Sequence, residues 1–157
     1  MNRSLHNFSS NGELLSASSN YFRAAAASCL AHSTQTVSTR EALVTHHAAQ
    51  ASARLAQKLA RFAEKGSPTM LKAHVQYTPD TTPPNPNRLR SLVFAGATSE
   101  ALVEALTDAS QTWANLYHEL GERTSAEDAQ TLHDNCQALL TNWAKELHRT
   151  TAQQQDL

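Results

Sequence analysis

Apolar residues recur along this chain at spacings of three and four, the period of one face of an α-helix, in four long stretches. The first runs from about Asn11 or Gly12 to Ala31, with Leu15, Ser18, Phe22, Ala25 and Cys29 on one face. This stripe is rich in small residues, which lets a neighbouring helix axis come close, with Tyr21 and Phe22 as the bulky contacts. After a polar break at His32–Val37, Ser38 followed by Glu41 reads as a capping box and starts the second helix. Val44, Ala48, Ala51, Leu55, Lys58 or Leu59, and Phe62 mark its face as far as Glu64, and Lys65-Gly66 reads as a cationic last turn and a left-handed stop.

From Ser67 to Asn87 the period changes to two. Leu71, Ala73, Val75 and Tyr77 alternate with polar residues, and the prolines at 79, 83, 84 and 86 forbid regular helix, so the stretch is expected to be extended and to lie along the outside through Leu71, Val75 and Tyr77. Asn87 is placed to cap a short helical piece through Leu89, Leu92, Val93 and Phe94, broken at Gly96. The third long helix, from Thr98 or Ser99 to Leu120, has the cleanest face: Leu102, Leu106, Ala109, Trp113, Leu116 and Leu120, with Gly121 as its stop. Thr124 and Glu127 read as another capping box, opening a fourth helix through Ala129, Leu132, Cys136, Leu139, Leu140, Trp143 and Leu147. Trp113 and Trp143 are expected to be buried core anchors at different levels. The polar tail from Thr150 to Leu157 is expected to fray.

A short third-to-fourth connection makes those helices antiparallel neighbours, and a long second-to-third connection returns the chain along the whole length of the bundle. The expected architecture is therefore all-α, an antiparallel four-helix bundle with a crossover at about 67–87. One domain covers residues 11–150, between a flexible N-terminus (1–10) and a flexible tail (151–157). A chain of 157 residues can bury roughly 70% of its unfolded surface around one core without disulfides or metals.

Composition removes several functions. With 17% charged residues and a net charge of -1, the chain lacks the basic field that holds proteins on nucleic acid or acidic lipid. No stretch approaches the roughly 20 apolar residues needed to span a bilayer, and Met1–Glu13 lacks the apolar middle of a secretory signal, so the expected compartment is the cytoplasm. Cys29 and Cys136 fit no zinc or redox spacing and read as small buried residues. Neither a Gly-x-Ser-x-Gly turn nor a phosphate-cradling glycine loop is present.

The paired helices and single crossover resemble ferritin-like bundles; a cytokine-like bundle would need two long crossovers. Phe22-Arg23-Ala24-Ala25-Ala26, the Asn87–Ala95 stretch before Gly96, and Trp113–Tyr117–Leu120 resemble a bacterial ferritin-like family of unknown function, over Glu13 to about His148. The chain departs from that family at Ala24, where a Glu is usual, and at Arg88-Leu89-Arg90-Ser91-Leu92, which lacks a His and a Trp.

The resemblance raises the question of iron. A ferritin-like di-iron centre takes one carboxylate from each of two helices and a Glu-x-x-His pair from each of the others. Here no acidic residue lies between Glu13 and Glu41, and Glu-x-x-His occurs nowhere. The substitutes on offer are His47, Glu104 or Asp108, His133 and Asp134, which could converge from three helices. The plainer reading makes His47 a boundary residue, His133 a partly wet neighbour of Leu132 and Cys136, and Glu104 and Asp108 a solvated face. No catalytic, cofactor or metal residue is therefore assigned. The expected role is a non-enzymatic helical module that self-associates, as a two-fold homodimer, or binds another protein through the alanine-rich surfaces Ala24–Ala27 and Ala48–Ala53. The alternatives are a divergent ferritin-like protein or oxidoreductase holding iron or another divalent metal, and a helical factor tied to secretion.

Overall fold

The first long helix, α1 (Asn11–Gln35), begins where the Ser10 side chain accepts the Glu13 N–H, satisfying one of the free donors of the first turn. It outruns the expected end at Ala31 by a turn. No glycine or proline interrupts the stretch, and His32 is packed inside, its Nδ1 3.0 Å from Thr45 Oγ1. The computed structural model describes residues 8–73, 75 and 79–155, and the six elements among them are all helices.

Helix α2 (Thr39–Lys65) starts at the expected Ser38 cap, which accepts the Glu41 N–H at 3.3 Å. The other half of the capping box is not made: the Glu41 carboxylate accepts the Ser99 N–H, 2.8 Å away at the start of another helix. Nor is Gly66 a left-handed stop, since its φ is -70°. A Cβ there would stand 2.8 Å from Met70 Cε and 3.1 Å from Leu71 Cγ and Cδ2, a close approach to side chains that can shift. Met70 comes so near because Ser67 and Pro68 open a short helix, α3 (Pro68–Lys72), where an extended crossover was expected to begin. Leu71 within it and Val75 beyond it are half-buried, and the Val75 N–H donates to the Ser9 carbonyl at 3.2 Å. Tyr77, the third expected anchor, lies outside the described residues, as do positions 1–7 of the expected flexible N-terminus.

Helix α4 (Asn87–Phe94) takes Asn87 as its first residue rather than its cap, and the chain leaves it through Gly96, the single left-handed position among the described residues, at φ 77°. Helix α5 (Ser99–Glu122) is capped by Thr98 and runs through Gly121 instead of ending there. A Cβ at Gly121 would lie 2.9 Å from His133 Cβ, so this glycine too serves a close approach. Thr124 does not cap the next helix; its hydroxyl closes α5 by donating to the Leu120 carbonyl at 2.8 Å. Helix α6 (Glu127–Gln155) continues through most of the tail expected to fray, and Thr151 within it is buried.

Polar contacts fix the relative directions. Ser19 Oγ donates to the Ala56 carbonyl and His32 meets Thr45, so α1 and α2 are antiparallel. Ser110 Oγ donates to Leu140 while Gly121 faces His133, so α5 and α6 are antiparallel too. Trp143 Nε1 donates to Ala51 and His47 meets Thr150, setting α6 against α2; Ser18 meets Tyr117 and Tyr21 meets Trp113, setting α5 against α1. Helices α2 and α5 thus point the same way, and the connection between them climbs back along α2, about 40 Å for its 27 residues. Phe22, Leu55, Leu59, Leu102, Leu106, Leu116 and Leu140 fill the interior. Trp113 is buried as expected beside Phe8 and Tyr21, whereas Trp143 is only half-buried, edge-on to Phe22. Ala48, Ala49 and Ala51 are buried within the molecule, so that alanine-rich stretch is not a free surface.

Candidate functional site

The five residues named as substitute metal ligands go separate ways. His47, half-buried on α2, places Nε2 3.1 Å from Thr150 Oγ1, and burial lowers its pKa, with Arg54 acting in the same sense and Glu146 against it. Glu104 and Asp108 on α5 and Asp134 on α6 are exposed, while His133 is fully buried, not partly wet. Adjacent positions on a helix point about 100° apart, so His133 and Asp134 cannot face one ion. Among the described residues, no group of three or more His, Cys, Asp or Glu is placed to hold a metal.

The space between α1, α5 and α6 holds a different set. His133 Nε2 lies 3.0 Å from Asn11 Oδ1, and Asn11 Nδ2 donates to the Met70 carbonyl at 3.0 Å, tying α6 to α1 and α3. The Asn11 amide nitrogen is occupied as a donor, so its oxygen faces the imidazole and Nε2 carries the proton. Burial lowers the His133 pKa, with the Tyr117 backbone carbonyl and Asp134 pulling the other way. Tyr117, fully buried, places its hydroxyl 2.8 Å from Ser18 Oγ and 5.7 Å ring to ring from His133. Burial raises its pKa well above the usual phenol value, and pushes the Cys136 thiol up to about 12 against a hydrogen bond from Tyr117. The same cause pushes Cys29 up to about 12. Near neutral pH the cluster therefore offers a thiol, a phenol and a neutral imidazole, with neither thiolate nor carboxylate for nucleophilic or acid–base work. Of its members the sequence offered only His133 as a candidate ligand, while Cys136 read as a small buried residue, Ser18 lay on the apolar face of the first helix and Tyr117 in the stretch that carries the resemblance. Ser18 and Tyr117 at the helical period were the available signal, while Asn11 at the first turn of α1 gave none.

Two carboxylates act as clasps. Glu119 accepts the Asp80 N–H at 2.7 Å, the Thr81 N–H at 3.2 Å and the Thr81 hydroxyl at 2.6 Å, pinning the crossover to α5. Glu41 holds the first N–H of α5 and lies 3.9 Å from His32 Nε2, joining the C-terminal end of α1 to the N-terminal ends of α2 and α5.

The outer surface carries two openings beside α1. A groove of about 500 Å³ runs between α1 and α4, floored by Ala24, Ala27 and Ala31 and walled by Val93 and Phe94. Phe94 is 84% exposed. Beside it, a cleft of about 860 Å³ between α1, α5 and the proline-rich crossover is lined by Phe8, Tyr21, Trp113, Pro83 and Pro84. Among the described residues no helix is long and apolar enough to cross a membrane. Comparison of the chain with protein-family models, with curated proteins and with solved structures finds no match.

Proposed function

We propose that the protein is a non-enzymatic module, an antiparallel four-helix bundle of ferritin-like layout, that works by pairing with a second copy of itself. The layout is supported by two antiparallel pairs, α1 with α2 and α5 with α6, joined by one long connection between helices that point the same way. The observation that carries the functional reading is the content of the interior. Where a ferritin-like protein would converge carboxylates, this chain has Asn11, Ser18, Tyr117, His133 and Cys136, bonded to one another or to main chain. In this reading no metal or cofactor takes part, and the alternative of a divergent metal-binding oxidoreductase finds no cluster of ligands among the described residues.

Self-association is supported by the α1–α4 face. An aromatic ring as open as Phe94, beside a groove of small side chains, gains apolar burial when a two-fold copy brings ring to groove. Sedimentation of the native protein and of Phe94→Glu tests it. The native chain should sediment as a dimer at about 50 micromolar, and the variant as a monomer with the same helix content. A variant that sediments like the native protein would refute this face. Iron, manganese or zinc near one atom per chain in untagged protein would refute the metal-free module.

A further inference from the structure

The cleft between α1, α5 and the crossover combines three observations that belong together. Its size, about 860 Å³, is that of a small-molecule pocket. Its lining contains no Asp, Glu, Lys, Arg or His. And one of its lining residues, Trp113, keeps its indole N–H buried with no hydrogen-bond partner among the described residues. The contrast with Trp143, whose N–H donates to the Ala51 carbonyl at 3.0 Å, is direct. A donor shut away from water and unpaired is costly to the free protein, and a ligand acceptor that reaches it gains a hydrogen bond without first stripping water from the donor.

We propose that this cleft binds a small uncharged aromatic molecule bearing a carbonyl-type acceptor, with its ring among Tyr21, Trp113 and the prolines and its acceptor on the Trp113 N–H. No charged side chain lines the cleft itself, and the one cation near it, Arg88, acts on the Tyr21 hydroxyl from outside the lining, so the walls favour an uncharged ligand over a cation, which would lose hydration and gain no counter-charge. The aromatic and proline walls favour a flat ring: Tyr21 and Trp113 stand 6.1 Å apart by ring centroid and Phe8 and Trp113 6.3 Å. Because the N–H is out of reach of water, a side chain must turn aside to admit the acceptor. Phe8 is placed to do so, since it precedes α1 without belonging to a helix and its ring stands 6.3 Å from that of Trp113.

Acetophenone and ethylbenzene are the probes, close in shape but differing in the acceptor. In nitrogen-edited NMR of the full chain, with the Trp113 indole signal assigned by its loss in Trp113→Phe, acetophenone should shift that signal downfield and leave the Trp143 signal in place. Ethylbenzene, although the more apolar, should bind at least about tenfold more weakly. Ala17→Leu, which fills the cleft and does not touch the α1–α4 groove, should weaken acetophenone binding by about tenfold or more, as should Asn20→Leu on the exposed rim, a change that leaves the core intact. A Trp113 signal that does not move at millimolar acetophenone, equal affinity for ethylbenzene, or binding unchanged by both filling variants would overturn the proposal.

Discussion

Placing a methyl group on Gly121 sets two known effects against each other. Alanine gains up to about 1 kcal/mol over glycine inside a helix, less so near the end of one, where Gly121 sits. Against this, the new Cβ would stand 2.9 Å from His133 Cβ and 3.5 Å from its Cγ. Those atoms start a side chain rooted in the α6 backbone, so no rotamer change removes the clash and the helices themselves must part. Overpacking of this kind costs about 1–3 kcal/mol. Parting α5 from α6 also strains the hydrogen bond of His133 to Asn11, and with it that of Asn11 to Met70, each of about 1 kcal/mol net. We expect Gly121→Ala to lose about 1–3 kcal/mol, read from urea unfolding followed by circular dichroism at unchanged m-value. Gly96→Ala is the control: nothing lies within 4 Å of a Cβ there, so only its left-handed φ of 77° should cost, about 1–2 kcal/mol. A Gly121→Ala protein as stable as the native one, or more so, would show that α5 and α6 do not approach as closely as described.

Burial lowers the pKa of both His133 and His47 from the usual 6.5, so in acid the unfolded chain takes up protons that the folded chain refuses. Stability should be full above about pH 6.5 and fall as the pH drops below it; urea midpoints at about pH 7.5 and about pH 5 check this, His133→Gln should flatten the profile, and an equally flat native profile would contradict it. Trp113→Ala should cost about 3–5 kcal/mol and the half-buried Trp143→Ala less, while only Trp143→Phe forfeits an indole hydrogen bond; unfolding curves showing the reverse order would count against the packing. Glu119→Ala should free Asp80 and Thr81 and raise limited proteolysis in the crossover by about tenfold, the equivalent of about 1.4 kcal/mol of local opening, without new cuts in α5; unchanged cleavage would show that the clasp holds nothing.

Much of the helical plan was legible because it depends on period. The stripes through Phe22, Leu55, Trp113 and Leu140 are buried as their spacing required, and Ser38 and Thr98 start helices as small polar caps do. What was misread depends on partners distant in sequence. Gly66 and Gly121 look like helix stops, yet their missing side chains make room for Met70 and His133. The carboxylate of Glu41 has a good local partner in its own capping box and a better one at Ser99, in a helix that only the folded chain brings near. Ser67-Pro68 did carry a helix-start signature, which the alternation of Leu71, Ala73 and Val75 outweighed. His133 could not be placed either, because its partner Asn11 sits at the far end of the chain. The interior polar cluster escaped notice for the same reason: tyrosine, serine and asparagine become a site only through their neighbours.

Light scattering of the untagged native chain across micromolar concentrations tests the central claim most directly. A module that pairs with itself should give a mass of about 34 kDa, twice the 17.1 kDa of one chain, falling toward the single-chain value on dilution. A mass that stays at 17.1 kDa up to the highest concentration would contradict the account.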